Sequence, residues 1–304
     1  MKKGLARIDL NSNVIWNIEG NFHHDTQITD DKIYTLMWKN RYIESNNETL
    51  PIMDEILVTL DYHGNILKEK SLYQIFKKLI PDEVYENISE YIQHENLSDL
   101  IKEKPNDFYL KSNLPWDVLH MNSLTLIEED TDIFKKGQFL VSMRTINTIA
   151  VFDPNLNEII WGYSGDLIRQ HNPTLLANGN ILVFDNGGKV EYPISTTNYL
   201  TKERNEQERL FTRIIEIEPK TKNIVWEYTS EIPEEFYSKI MGSSQRLDNG
   251  NTLITDAFNG KVFEINSRKK IVWNYKAPLE NMSFYRGYRL NKNEVNIIND
   301  FIHR

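Results

Sequence analysis

The chain has 304 residues, 40% apolar and 26% charged, the balance of a folded globular protein rather than a disordered one. A net charge of -9 argues against a nucleic-acid backbone as partner, and the lack of any cysteine removes disulfides, thiolate metal sites and cysteine nucleophiles together. No run reaches the roughly 20 apolar residues of a membrane-spanning helix, and the first residues lack the apolar core of a signal peptide, so a cytoplasmic protein is expected, or an exported one if further residues precede this start.

In chain order, Ala6-Arg7-Ile8-Asp9 alternates apolar and polar residues, turns, and continues as Asn13-Val14-Ile15-Trp16, which predicts an outer β-hairpin over residues 5–18. A first unit begins near His23 and ends in a similar phrase, residues 56–61 with 64–67. Residues 71–111 place Tyr73, Phe76, Ile80, Val84, Ile88 and Ile92 at mixed three- and four-residue spacing and predict a helical insertion. Units then begin near His120, His171 and Ser243. Each closes on the same pattern: residues 149–153 with 158–161, 214–218 with 223–226, and 262–266 with 270–273. The middle one is interrupted by a polar insertion at 188–210, and residues 284–298 are expected to supply inner strands.

Asn178-Gly179 and Asn249-Gly250, each between two apolar runs, are strong hairpin signals. Two hairpins in series make a four-stranded unit, and Trp226 and Trp273 stand 47 residues apart, the period of a propeller blade. The expected fold is all-β: a single β-propeller over residues 1–304, with five blades if the two ends of the chain share one.

Histidine is scarce, seven in the chain, yet His23-His24, His120 and His171 all stand where successive units begin. Inner strands of a propeller line one channel, so imidazoles 96 and 51 residues apart in sequence are expected to converge. Such a cluster suits anion binding, general base or nucleophile work, or a metal; the bland alternative is that each ring caps a strand. Arg144 follows an inner strand of the His120 unit and reaches the same funnel in this reading, offering a permanently charged fork to an oxyanion. Tyr192, Phe236, Tyr237, Phe284 and Tyr285 are candidates to sandwich an aromatic ring at its mouth, and Arg246 and Arg286 are further candidates to line it.

At these residues the sequence resembles the bacterial arylsulfate sulfotransferase family. The matching phrases are His23-His24-Asp25, Trp116-Asp117-Val118-Leu119-His120-Met121-Asn122-Ser123, residues 140–148, Gln170-His171 with Phe184-Asp185-Asn186-Gly187, and Gly242-Ser243-Ser244-Gln245-Arg246. The resemblance implies a six-bladed propeller that moves a sulfuryl group from an aryl sulfate to a phenol without nucleotide, cofactor or metal. It implies His171 as nucleophile, His24 and His120 as supporting imidazoles and Arg144 as the residue that grips the sulfate. Asn122, with His23, Asn172 and Arg246, is expected to bind substrate. The chain departs from the family in having no cysteine, and its first residues do not read as the export signal that family members carry, so a truncated or processed form, or a cytoplasmic relative, is expected. Two other readings keep the fold: a scaffold propeller that docks a partner on the 71–111 insertion, and an enzyme with lyase or hydrolase chemistry on an anionic aromatic substrate.

Overall fold

Short strands whose residues are apolar at successive positions bury both faces of a sheet, and that is the packing seen in a computed structural model of the protein. It describes residues 4–45, 47–97, 114–188, 209–279 and 282–302, and the backbone of 197–198 and 203–204. A hairpin of β1 (Gly4–Ile8) and β2 (Val14–Glu19) comes first. The first antiparallel blade is β3 (Phe22–Ile28), β4 (Ile33–Ser45), β5 (Glu48–Leu60) and β6 (Ile66–Ser71). The second is β7 (Met121–Leu126), β8 (Phe139–Met143), β9 (Thr148–Asp153) and β10 (Glu158–Tyr163). In the third, β11 (His171–Leu175) and β12 (Ile181–Asp185) are separated in sequence from their partners by the short ladder of β13 (Thr197–Asn198) and β14 (Glu203–Arg204). Those partners are β15 (Arg213–Ile217) and β16 (Ile224–Tyr228). The fourth blade is β17 (Ser243–Arg246), β18 (Thr252–Asp256), β19 (Lys261–Ile265) and β20 (Ile271–Lys276).

The cores lie between blades, and the two-residue period of a strand divides each central strand between them. Ile181 and Val183 of β12 pack with Leu140 and Val151 of the second blade, whereas Leu182 and Phe184 pack with Ile254 and Phe263 of the fourth. In the same way Val141 and Phe152 face Leu36 and Leu57 of the first blade, and Leu5, Trp16 and Ile18 of the β1–β2 hairpin cover that blade's other face. The outer turns repeat one device, an Asp or Asn side chain accepting from backbone N–H groups two and more residues ahead, at Asp9, Asp61, Asp153 and Asn266. Between β6 and β7, α1 (Tyr73–Phe76), a 3-10 turn and α2 (Asp82–His94) cover the long β4–β5 hairpin, burying Phe76 and Ile88 against Ile52. Residues 98–113, and most of the 188–210 insertion, lie outside the described residues.

The C-terminal expectation is partly corrected. Residues 285–290 do run beside β17: Gln245 and Arg289 exchange two hydrogen bonds, and the Arg289–Glu264 pair repeats the Arg246–Glu216 pair one blade earlier. Lys292–Ile302 is not an inner strand but a helix, α3. Asn291 and Glu294 form a reciprocal capping box at its start, a signal that favours helix over hairpin. Among the described residues, then, four blades are complete, the β1–β2 hairpin is a two-stranded sheet of its own against the first blade, and the 285–290 segment lies beside the fourth.

Candidate active site

Each innermost strand of the first three blades breaks register near its start. The breaks fall between His23 and Thr26 in β3, Met121 and Ser123 in β7, and His171 and Thr174 in β11. Such bulges re-aim side chains. Left-handed backbone accompanies them at His24 (φ 55), His120 (φ 45) and Asn172 (φ 46). These values are sparsely populated for residues with a Cβ and cluster at functional sites.

The histidines therefore do not share one register, as the repeat suggested. His171 opens β11 opposite Phe184, His120 precedes β7, and His24 lies inside the β3 bulge, the place held by Asn122 and Asn172 in the next blades. They nevertheless converge. The His24 and His120 ring centres are 5.5 Å apart, and both His120 and His171 lie close enough to His24 to lower its pKa. Arg144, whose N–H donates to the His120 carbonyl, depresses the His171 pKa in turn.

His171 is 4% exposed. Its Nδ1 lies 2.9 Å from the Arg169 carbonyl and 2.8 Å from Oδ1 of Asn186. Both are acceptors, so Nδ1 carries the proton and Nε2 keeps its lone pair. The amide cannot be reversed, because Asn186 Nδ2 donates to the carbonyls of Ser238 and Met241. Burial first, and then Arg144, pull the His171 pKa down to about 3, so the ring is neutral at ordinary pH.

The Phe-Asp-Asn-Gly phrase builds this support. Phe184 is core, while the buried Asp185 carboxylate accepts from the Ile168 N–H and pairs with Arg209 and Arg213, fixing the loop that presents the Arg169 carbonyl. Gly187 (φ 74) donates to the Ile168 carbonyl and stands where a Cβ would meet the Phe211 oxygen at 2.1 Å.

His120 Nδ1 is 2.6 Å from Oδ2 of the buried Asp117. His24 is exposed yet crowded by the rings of His23, His120 and Tyr285, and desolvation, the neighbouring imidazoles and Arg286 hold its pKa well below the usual imidazole range. Arg144 is pulled down to about 10 by burial, with Asp117 opposing, and stays charged. The ring centre of Tyr285 is 6.1 Å from that of His24; burial pushes its phenol up to about 12, which keeps it neutral.

The other expected contacts lie elsewhere. Asn122 is fully buried and donates to the Gln170 carbonyl, clamping β7 to β11 rather than facing a funnel. Asn172 accepts from the Ser244 N–H and clamps β11 toward β17. Arg246 pairs with Glu216 over the Trp226 ring, at the turn end of its strand. His23 turns to Glu55 and to His24. Phe236 is core, Phe284 packs on Tyr275, and Tyr192 lies outside the described residues. Of the two further arginines, Arg286 is the one that reaches the centre beside Arg144, pairing with Asp25 and donating to the Asn122 carbonyl. Asp25, Asp117 and Asn186, which stand in the matching phrases without an assigned role, and Glu55, which stands outside them, are the supports of these rings. Their signal was a carboxylate or amide inside an otherwise apolar phrase, such as Asp54-Glu55 in β5.

The family model described as arylsulfotransferase (ASST) matches residues 4–278. The chain belongs to that family. Membership supports a sulfotransferase-like role on small aryl substrates for this arylsulfotransferase-family protein. No curated protein matches the chain. Among solved structures it is similar to a Bacteroides caccae protein of unknown function, with 13% identity and a TM-score of 0.50 over 94% of this chain and 79% of that one. It is also similar to the selenomethionine-substituted virginiamycin B lyase of Staphylococcus aureus, with 11% identity and a TM-score of 0.41 over 88% and 73%. The first likeness bears on the fold alone, and the second is too loose to bear on either fold or activity. Among the described residues no helix is long and apolar enough to cross a membrane, and no three metal-binding side chains are grouped to hold an ion.

Proposed function

We propose that this family member moves a sulfuryl group from an aryl sulfate to a phenol by way of a sulfo-histidine at His171. The observation that carries the reading is the His171 ring: neutral, buried, and with Nδ1 saturated by Arg169 and Asn186, so that Nε2 is its one nucleophilic atom. In the first half-reaction Nε2 bonds to sulfur while the sulfur–aryloxy bond breaks, its electron pair leaving with the aryl oxygen, which takes a proton from an imidazole of the funnel. In the second, a phenol gives its proton back to that imidazole and its oxygen attacks sulfur, freeing Nε2. Arg144 supplies donors to the sulfuryl oxygens as charge builds, and Asp117 fixes the orientation of the His120 ring.

The test is incubation with p-nitrophenyl sulfate with and without phenol. Nitrophenol release that depends on phenol, with ping-pong kinetics, is the expected result; His171→Ala abolishes it, and Arg144→Ala costs on the order of 3 kcal/mol in kcat/KM. Release without phenol would mean hydrolysis, and transfer that survives His171→Ala would overturn the nucleophile.

A further inference from the structure

We propose that His23 and Glu55 form a proton relay that switches His24 between acid and base in the two half-reactions. The inference rests on the sulfuryl-transfer reading for its chemistry, but its geometry stands apart from it. Nδ1 of His23 and Nδ1 of His24 are 2.6 Å apart, so one proton is shared between them. On its other side His23 Nε2 lies 2.9 Å from Glu55 Oε2, off the line of the ring N–H. Both atoms are buried and neither has a further hydrogen-bond partner in the described residues. Glu55 is 2% exposed, and its other oxygen is held by the Met121 N–H.

A carboxylate so placed requires a proton on His23 Nε2, because a ring lone pair facing it is repelled. That leaves two states of the pair. With His23 doubly protonated, its Nδ1–H donates to His24 Nδ1, and His24 carries its own proton on Nε2, on the side away from His23. With His23 neutral, His24 donates through Nδ1, and its Nε2 is a bare lone pair.

The charges around the pair suit the exchange. Burial opposes the His23 cation most strongly, yet Glu55 from β5, Asp117 from the segment before β7 and Asp25 from its own strand raise its pKa overall. His24 faces His120, His171 and Arg286, and stays neutral in both states. When the aryl oxygen leaves, His24 Nε2–H passes to it and the His23 Nδ1–H moves onto His24 Nδ1. When the acceptor phenol enters, His24 Nε2 takes its proton and the Nδ1 proton returns to His23. One proton leaves with the first phenol, one arrives with the second, and no other reactant is needed.

A general acid matters most for a poor leaving group and contributes about 10²-fold or more. Glu55→Gln and His23→Gln are therefore expected to lower turnover of phenyl sulfate by about 10²-fold more than that of p-nitrophenyl sulfate, raising the ratio of the two rates. A merely structural role lowers both equally, and an unchanged ratio overturns the relay. The second measurement needs no variant and no activity: nitrogen NMR of the labelled wild-type protein across a pH titration. The His24 proton is expected to move from Nε2 to Nδ1 as His23 loses its charge. A His24 tautomer that stays constant through the His23 titration overturns the relay even where sulfuryl transfer is found. A tautomer that switches in a protein without transferase activity upholds the relay and dismisses the sulfuryl reading.

Discussion

Oδ1 of Asn186 sits 2.8 Å from Nδ1 of His171, and this contact decides which nitrogen of the ring is free to act. The amide is itself locked by two carbonyls, so the support is rigid rather than adaptable. Removing it leaves the Arg169 carbonyl as the ring's remaining Nδ1 acceptor. That carbonyl still holds the tautomer, so Asn186→Ala is expected to act by misplacing the ring and to lower kcat by up to roughly 10²-fold, with a smaller change in KM. Steady-state kinetics with p-nitrophenyl sulfate and phenol checks this, and an equal loss in Asn186→Asp is not expected, since aspartate still accepts from Nδ1–H.

The burial that keeps His171 neutral also has a thermodynamic cost at low pH. Its folded pKa of about 3 lies below the ordinary 6.5. Between those values the unfolded chain binds the proton and the folded one does not, so stability rises with pH across the window and is lost as pH falls through it. The stability of the wild type relative to His171→Gln is expected to drop by a few kcal/mol from pH 7 toward pH 4. Denaturant unfolding at a series of pH values measures the difference, and a difference that does not vary with pH would contradict the neutral assignment.

The propeller was legible because its turns and its interblade cores rest on local chemistry repeated along the chain. Asn178-Gly179 and the alternation of Ile181, Leu182, Val183 and Phe184 mean the same thing in any blade. The gathering of His24, His120, Arg144 and His171 was legible for the same reason, since strands that begin a blade face one axis. What the repeat could not convey was orientation. A bulge such as that at His24 and Asp25 leaves no mark in hydrophobic periodicity, and it sends Asn122 and Asn172 between strands while His24 faces inward. The supports are also long-range: Glu55 meets His23 across 32 positions of chain, and Arg286 meets Asp25 from nearly the other end. At the C-terminus the apolar spacing of Val295, Ile298 and Ile302 suits a helix, and the Asn291–Glu294 box turns the balance that way.

The Arg286–Asp25 pair is almost buried, with side chains 8% and 10% exposed, and it ties the 285–290 segment to the first blade behind His24. Asp25 also accepts from the Leu124 N–H, and Arg286 also donates to the Asn122 carbonyl, so one ion pair spans the C-terminal segment and two blades. Truncating one partner leaves a buried charge without its counterion, which costs about 3–5 kcal/mol. Arg286→Met and Asp25→Asn are each expected to destabilise the fold by that order, and the double variant by clearly less than their sum. Denaturant unfolding of the four proteins gives the coupling energy. Full additivity would mean that the two side chains do not compensate one another, and the 285–290 segment would then need another anchor, which hydrogen exchange in Arg286→Met would reveal as protection retained there.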